Sequence, residues 1–277
     1  MSLHAAETQP KYGLLTSPLE SVPDEILRFG KLGFDYVEIG IEEPQATPQI
    51  LMRQNQAILR SLSETGLFTL GHTAYWVGFG SSHEKVRRGW VEEAKDMIQV
   101  ASQLRIDLLN FHYNARLGNV GVKQESRNNF VKNFSNSMSE LTQLAESMNI
   151  QLMLENPPPQ GFNPLEGIDY FAQVIDSVPK LRFHLDVAHA YIENGMEGIN
   201  QYLDAFGDKL VHVHMHDNHG KQDEHLALGQ GKINFRKVVK ALKDSDYCRT
   251  ITFEVFTSHA DAVQSREHFK KYWKSIT

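Results

Sequence analysis

The sequence predicts an α/β protein of the single-domain (β/α)8 TIM barrel class. Short β-rich runs recur eight times along 277 residues. Segments with helical spacing separate them, and no Gly/Ser linker, Pro-rich run or block of like charge divides the chain. Strands alternating with amphipathic helices give a parallel sheet, and a count of eight favours closure over an open doubly wound sheet.

The elements follow in order. Tyr12–Thr16 opens the series. Ser21-Val22-Pro23-Asp24 reads as a helix entry and Gly33 as its stop, before the strand Tyr36–Gly40. Gly66 ends the second helix ahead of Leu67–Gly71. Over Glu84–Gln103, Val86, Trp90, Ala94, Ile98 and Ala101 recur at three- and four-residue steps, which predicts a helix with one apolar stripe. Leu108–His112 follows. Over Asn128–Met148 the same spacing returns in Phe130, Phe134, Met138, Leu141 and Ala145, leading into Ile150–Leu154. Arg182–Asp186, a helix stop at Gly207, Leu210–His214 and Thr250–Glu254 complete eight strands. The barrel is expected over residues 11–277, with residues 1–10 as a polar N-terminal extension.

Composition narrows the function classes. Hydrophobic residues at 41% and charged residues at 22% are those of a globular chain with a large core. No run approaches the roughly 18 to 20 apolar residues of a membrane span, and Met1–Pro10 lacks the apolar centre of a signal peptide. A cytoplasmic protein is expected, with no membrane partner. Cys248 is the single cysteine, so any metal must be held by nitrogen and oxygen. A net charge of −6 gives no general attraction to nucleic acid.

Candidate ligand groups gather at strand ends. Six of the eight strands finish on or beside His, Asp or Glu: Gly71-His72, Phe111-His112, Leu154-Glu155, Leu185-Asp186, the run His214-Met215-His216-Asp217, and Phe253-Glu254. Asp223-Glu224-His225 and Gly229-Gln230-Gly231 follow shortly after the seventh strand. In such barrels the C-terminal strand ends and the loops after them build the active site. A lone strand-end histidine is more often a hydrogen-bonded structural residue, but a mouth holding this many carboxylates needs a cation or a partner to neutralise them, and the joint pattern points to a metal. The donor set suits Zn, Mn, Co or Fe, and exceeds what one tetrahedral ion can use.

These motifs resemble the xylose isomerase-like TIM barrel superfamily (AP endonuclease family 2), most closely endonuclease IV. His72 with Tyr75 is similar to its HxxY loop, and His112 to its next histidine. Glu155-Asn156 is similar to its LEN strand end, and Asp186-Val187-Ala188-His189-Ala190 to its DxxHA segment. His214 with Asp217, Asp223-Glu224-His225, and Gly229-Gln230-Gly231-Lys232-Ile233 are similar to its HxxD, DxH and GEGxI elements. The resemblance implies up to three divalent ions, zinc first. One would be held by His72, His112 and Glu155, a second by Glu155, Asp186, His214 and Glu254, and a third by His189, Asp223 and His225. It implies a phosphodiester hydrolase acting on DNA with an abasic site.

The departures point elsewhere. Where endonuclease IV carries basic residues after the second strand, this chain reads Glu38-Ile39-Gly40-Ile41-Glu42-Glu43, which repels phosphate. A glutamate in that strand and the Phe-Glu-Val-Phe last strand resemble the sugar isomerase and epimerase branch. That branch implies one Mn, Co or Mg ion on Glu155, Asp186, His214 and Glu254, with Glu155 and Glu254 as the acid/base pair on a small sugar or sugar phosphate. The arginine that often follows its metal histidine is missing; Asp217-Asn218-His219 stands there. A noncatalytic barrel keeping metals as structure is the third class.

Several residues carry further expectations. Glu38, Tyr75, Trp76 and His216 are candidates for substrate contact, the aromatics by stacking on a sugar face or a flipped nucleotide. His212, His214 and His216 share one strand face; His214 is the expected ligand and His212 lies deeper, while His184 is expected buried and hydrogen-bonded. Lys85, Arg87 and Arg88 read as a solvated helix face, Asn156-Pro157-Pro158-Pro159 as a stiff loop positioning Glu155, and Gly229-Gln230-Gly231 as a turn closing over the metals.

Overall fold

The computed structural model describes residues 9–115, 123–158 and 167–276. Within them eight parallel strands close into a barrel in the order β1-β2-β3-β4-β5-β6-β7-β8. The strands are β1 Lys11–Leu15, β2 Tyr36–Ile41, β3 Phe68–Thr73, β4 Leu108–His112, β5 Gln151–Glu155, β6 Arg182–Asp186, β7 Leu210–His214 and β8 Thr250–Thr252. The helices are α1 Val22–Lys31, α2 Pro48–Thr65, α3 Glu84–Gln103, α4 Gln124–Ser147, α5 Ile168–Ser177, α6 Val187–Phe206, α7 Phe235–Asp244 and α8 His259–Ser275. Residues 1–8 of the expected polar extension lie outside the described residues, as does Pro159. Among the described residues no helix is long and apolar enough to cross a membrane.

The predicted strands fall within a residue or two of the observed ones; the last ends at Thr252, two residues short of the predicted Glu254, although the Phe253 N–H still donates to the Gly13 carbonyl at 3.0 Å. α3 spans the predicted Glu84–Gln103, whereas α4 starts four residues ahead of the predicted Asn128. Gly33 and Gly66 both sit at φ +73, the left-handed conformation that ends a helix and favours glycine. Gly207 differs. It is right-handed, at φ −56, and opens a short 3-10 turn, Gly207–Lys209, before β7. α6 is broken at Asn194-Gly195, where both residues leave helical angles.

The apolar core lies between strands and helices. Val37, Ile39, Leu109, Leu152, Leu154, Phe183, Leu185 and Val213 point outward from the sheet and are fully buried beneath the helix ring. The inside of the barrel is different: it holds Glu38, Asn110, His184, His212, His214 and Thr252, all fully buried. Strand register stacks these groups in levels. Glu155 is level with both His112 and His184, and Asp186 with His214. His214 is in turn level with Thr252.

Candidate metal centre

The C-terminal mouth is a bowl of about 980 Å³, lined by His72, His112, Glu155, His189, His225 and Glu254 among others. Local sequence explains how the donors are aimed. Asp186 is both the last residue of β6 and the N-cap of α6. Its Oδ1 accepts from the His189 backbone N–H at 2.7 Å, leaving Oδ2 for the site. That cap places His189 in the first turn of the helix, over Glu155. Asn156 locks the β5–β6 edge by accepting from the Asp186 N–H at 2.8 Å and donating to the Asp186 carbonyl at 3.0 Å. His225 is held in the left-handed region at φ +48, a conformation costing about 1 kcal/mol that is tolerated where the site over-determines it.

Three groups of donors result. In the first, His72 Nε2 and His112 Nε2 lie 3.5 and 3.0 Å from Glu155 Oε2. In the second, His214 Nδ1 is 3.1 Å from Glu254 Oε2 and 4.0 Å from Asp186 Oδ2. In the third, His189 Nε2 and His225 Nε2 each lie 3.1 Å from Asp223 Oδ2. Glu155 Oε1, at 3.6 Å from His189 Nδ1, ties the groups together. His216 joins as well: its Nε2 is 3.1 Å from Asp186 Oδ2, 3.7 Å from Asp223 Oδ1 and 3.9 Å from Glu254 Oε2. All nine residues expected as ligands therefore meet in one place.

The donor set fits a divalent cation. His189 Nδ1 and His225 Nδ1 are within hydrogen-bond distance of backbone carbonyls, those of Asn156 at 3.0 Å and Glu254 at 3.2 Å, so both rings turn Nε2 inward. Buried nitrogens without a hydrogen-bond partner, both of His72 and Nδ1 of His112 and of His216, sit in the same cluster. Burial opposes charge throughout. Against it, Glu38 and Glu254 hold His214 well above the usual imidazole range, and Asp186 and Asp223 do the same for His189. His225 is pushed up to about 9 by Glu254 and Asp223 in spite of its burial. Burial would likewise raise the carboxylates, yet the imidazoles keep Glu155 and Asp223 well below the ordinary range and Glu254 at about 2. Acids and bases thus neutralise each other where a cation would otherwise do so.

Some residues lie elsewhere than expected. Glu38 does not reach the bowl. It is fully buried beneath it, with Oε2 at 3.0 Å from His214 Nε2 and 3.1 Å from His212 Nε2, so its placement does not fit substrate contact. His216 is also fully buried, among the candidate carboxylates and not on the bowl surface. Tyr75 lines the bowl, while Trp76 is 43% exposed and faces the neighbouring groove of Trp90. His212 and His184 lie deep and hydrogen-bonded, His184 through Nδ1 to Asn110 Oδ1 at 3.0 Å. Arg87 and Arg88 pair with Glu84, Glu92 and Glu140 on the helix face.

Asp217 is structural. It accepts the backbone N–H groups of Asn218, Gly229, Gly231 and Ile233 at 2.9 to 3.1 Å, fixing the Gly229-Gln230-Gly231 turn. A Cβ at Gly231 would stand 2.3 Å from the Asn218 carbonyl, so only glycine fits this approach. Sequence reasoning missed Asn110, whose Nδ2 donates to Glu155 Oε2 at 2.6 Å. Its position two residues before His112, on the same strand face, was the available signal. Glu25 and Glu42, on the bowl wall, carried no motif.

Residues 28–272 match the family model described as xylose isomerase-like TIM barrel. The chain belongs to this family. Within the xylose isomerase-like family, an uncharacterized protein of Methanocaldococcus jannaschii is 34% identical over 202 residues, covering 71% of this chain and 66% of that relative, just under two thirds of its length. Fructoselysine 3-epimerase of Escherichia coli O157:H7 is 25% identical over 274 residues, covering 94% of this chain and 97% of the epimerase. A probable endonuclease 4 of Campylobacter concisus is 24% identical over 209 residues, covering 70% of this chain and 71% of the endonuclease. Among solved structures, a D-tagatose 3-epimerase-like protein superposes with TM-score 0.83 at 25% identity, covering 96% of this chain and 98% of its own. These two epimerase-named relatives span nearly the whole chain, whereas the endonuclease reading put first from the sequence is matched by that relative over a shorter part.

Proposed function

We propose that the protein is a divalent-metal-dependent isomerase that epimerises a small keto sugar or sugar phosphate, with Glu155 and Glu254 as its acid/base pair. The observation that carries this reading is that His214 meets Asp186 and Glu254 at the base of a bowl lined by Glu254 and Glu155, with His189 bridging Glu155 and Asp186, in a chain similar to fructoselysine 3-epimerase over nearly its full length. Asp186, His214, Glu254 and Glu155 would hold the first ion. His72 with His112, and His189 with Asp223 and His225, are the proposed holders of further ions, drawn from Zn, Mn, Co and Mg.

A bound ion would polarise the substrate carbonyl and stabilise negative charge on its oxygen. The chain's own residues handle the proton. Glu155 is fixed by Asn110 and His112, and Glu254 by His214 and His225, which aims both carboxyl groups at the bowl. One, ionised, takes the proton from the carbon beside the carbonyl; the other, protonated beforehand by a proton taken from solvent, delivers it to the opposite face of that carbon, which inverts its configuration, and exchange of both carboxyl groups with solvent resets the pair. Tyr75, which lines the bowl, would pack on the sugar face, with Trp76 beside it at 5.9 Å between ring centroids.

The test is incorporation of solvent deuterium into a panel of ketoses and ketose phosphates with Mn, Co, Mg and Zn. Exchange at one carbon, lost in Glu155→Gln and Glu254→Gln, supports the reading; silence across the panel with every ion removes it. A second reading, hydrolysis of abasic DNA, is favoured by the third donor group of His189, Asp223 and His225, which a one-ion epimerase does not need. Nicking of abasic duplex by the zinc-loaded protein would support that reading instead.

A further inference from the structure

Glu38 is a carboxylate with no exposed surface, set on β2 and reaching β7 across the barrel floor. A single oxygen, Oε2, meets three donors: His212 Nε2 at 3.1 Å, His214 Nε2 at 3.0 Å and the Thr252 hydroxyl at 2.5 Å. Its other oxygen is buried without a hydrogen-bond partner. A group this costly to bury needs a role that an apolar side chain cannot fill.

The His214 ring has neighbours that fix its plane. His72 stacks on it, with centroids 5.2 Å apart and an 18° angle, and His184 meets it edge-on at 4.1 Å and 77°. Neither contact decides which nitrogen faces the mouth or which one carries the proton. An imidazole offers a lone pair at one nitrogen only when its proton is on the other. Glu38 supplies that choice, because only a protonated Nε2 can donate to it.

We propose that Glu38 is a positioning residue for His214, holding the proton on Nε2 so that Nδ1 presents its lone pair to the space shared with Asp186 and Glu254. This rests on the reading of His214 as a metal holder. Without Glu38 the ring is free to place its proton on Nδ1 and donate to Glu254, and the site loses a donor.

The experiment compares wild type, Glu38→Gln, Glu38→Asp and Thr252→Val by Zn(II) competition against a chromophoric chelator, by Co(II) absorption, and by thermal melting. Glu38→Gln should bind 10- to 100-fold more weakly, about the loss typical of a removed outer carboxylate, with an altered Co(II) spectrum. Glu38→Asp should recover part of that loss. Thr252→Val, which takes a donor from Glu38 without touching His214, should stay within about threefold, since the His214 hydrogen bond remains. In the zinc-loaded wild type, histidine nitrogen correlations should show His214 protonated at Nε2, a readout that stands even if Glu38→Gln does not fold. A folded Glu38→Gln with wild-type affinity and spectrum, or a His214 protonated at Nδ1, overturns the proposal alone. Failure of the wild type to bind either ion overturns it together with the metal-dependent reading.

Discussion

Replacing Glu254 by glutamine in the metal-free protein isolates the acid/base network that holds the bowl together. Glu254 is 6% exposed and its carboxyl is held at about 2, against an ordinary 4.5, by His214 and His225 acting against the effect of burial. At 1.36 kcal/mol per pKa unit, that depression corresponds to about 3 kcal/mol of stability at pH 6. His225, raised to about 9, reports the same coupling from its other end, so the two effects are not additive. The sign follows from both partners. A depressed carboxyl contributes above 4.5 and loses its contribution as pH falls toward 2. A raised imidazole contributes below 6.5 and loses it as pH rises through 9. The full contribution therefore lies between pH 4.5 and 6.5. Chelator-treated wild type and Glu254→Gln, melted at pH 6, should differ by roughly 5 to 10 °C for a chain of this size. At pH 10 the gap should be smaller, because His225 has by then lost its proton and no longer stabilises the buried carboxylate. An equal gap at pH 6 and pH 10 would refute the coupling.

Three further outcomes follow from the same geometry. Glu25, 1% exposed, is raised to about 7 by burial, so its charge is costly above that pH; Glu25→Gln keeps an acceptor for the Ser17 N–H and should gain about 1 to 3 kcal/mol at pH 8 and nothing at pH 4, measured by urea unfolding. Zinc binding at pH 7 should release protons from His214, His189 and His225, and affinity should climb toward pH 9; calorimetry in buffers of different ionisation enthalpy that finds no proton release would contradict this. Asp217→Ala orphans four backbone N–H groups and should lose about 3 kcal/mol or more, with hydrogen-exchange protection collapsing at Gly229, Gly231 and Ile233.

The barrel was legible because its signals are local and repeated. Helical spacing across Glu84–Gln103 and eight β-rich runs need no knowledge of the far side of the molecule. That the candidate donors would gather in one place was legible for the same reason, since strand ends of a closed barrel share one rim. What lay beyond reach was depth. Glu38 and Glu254 look alike as strand glutamates, but Glu38 sits three residues before the end of β2, which drops it to the floor, whereas Glu254 lies past the paired part of β8. His216 stood outside the expected ligand set because the motif match falls on His214, although Met215 still pairs with Thr252 past the end of β7 and the alternation carries His216 against Asp186. Asp217 looked like part of the metal motif and instead anchors a turn, a role visible only once the four amides meet it.

The imidazole-filled interior of this barrel has a consequence for anyone trying to harden the protein. Barrels of this class ordinarily fill the space inside their strands with branched aliphatic side chains, which can be exchanged for one another with little effect on the rim. Here His184, His212, His214 and Glu38 fill that space and also support the donors above. Greasing the lumen would dismantle the donor cluster above it, so gains in robustness must be sought in the layer between strands and helices, where side chains such as Val37, Phe183 and Val213 can be recast independently.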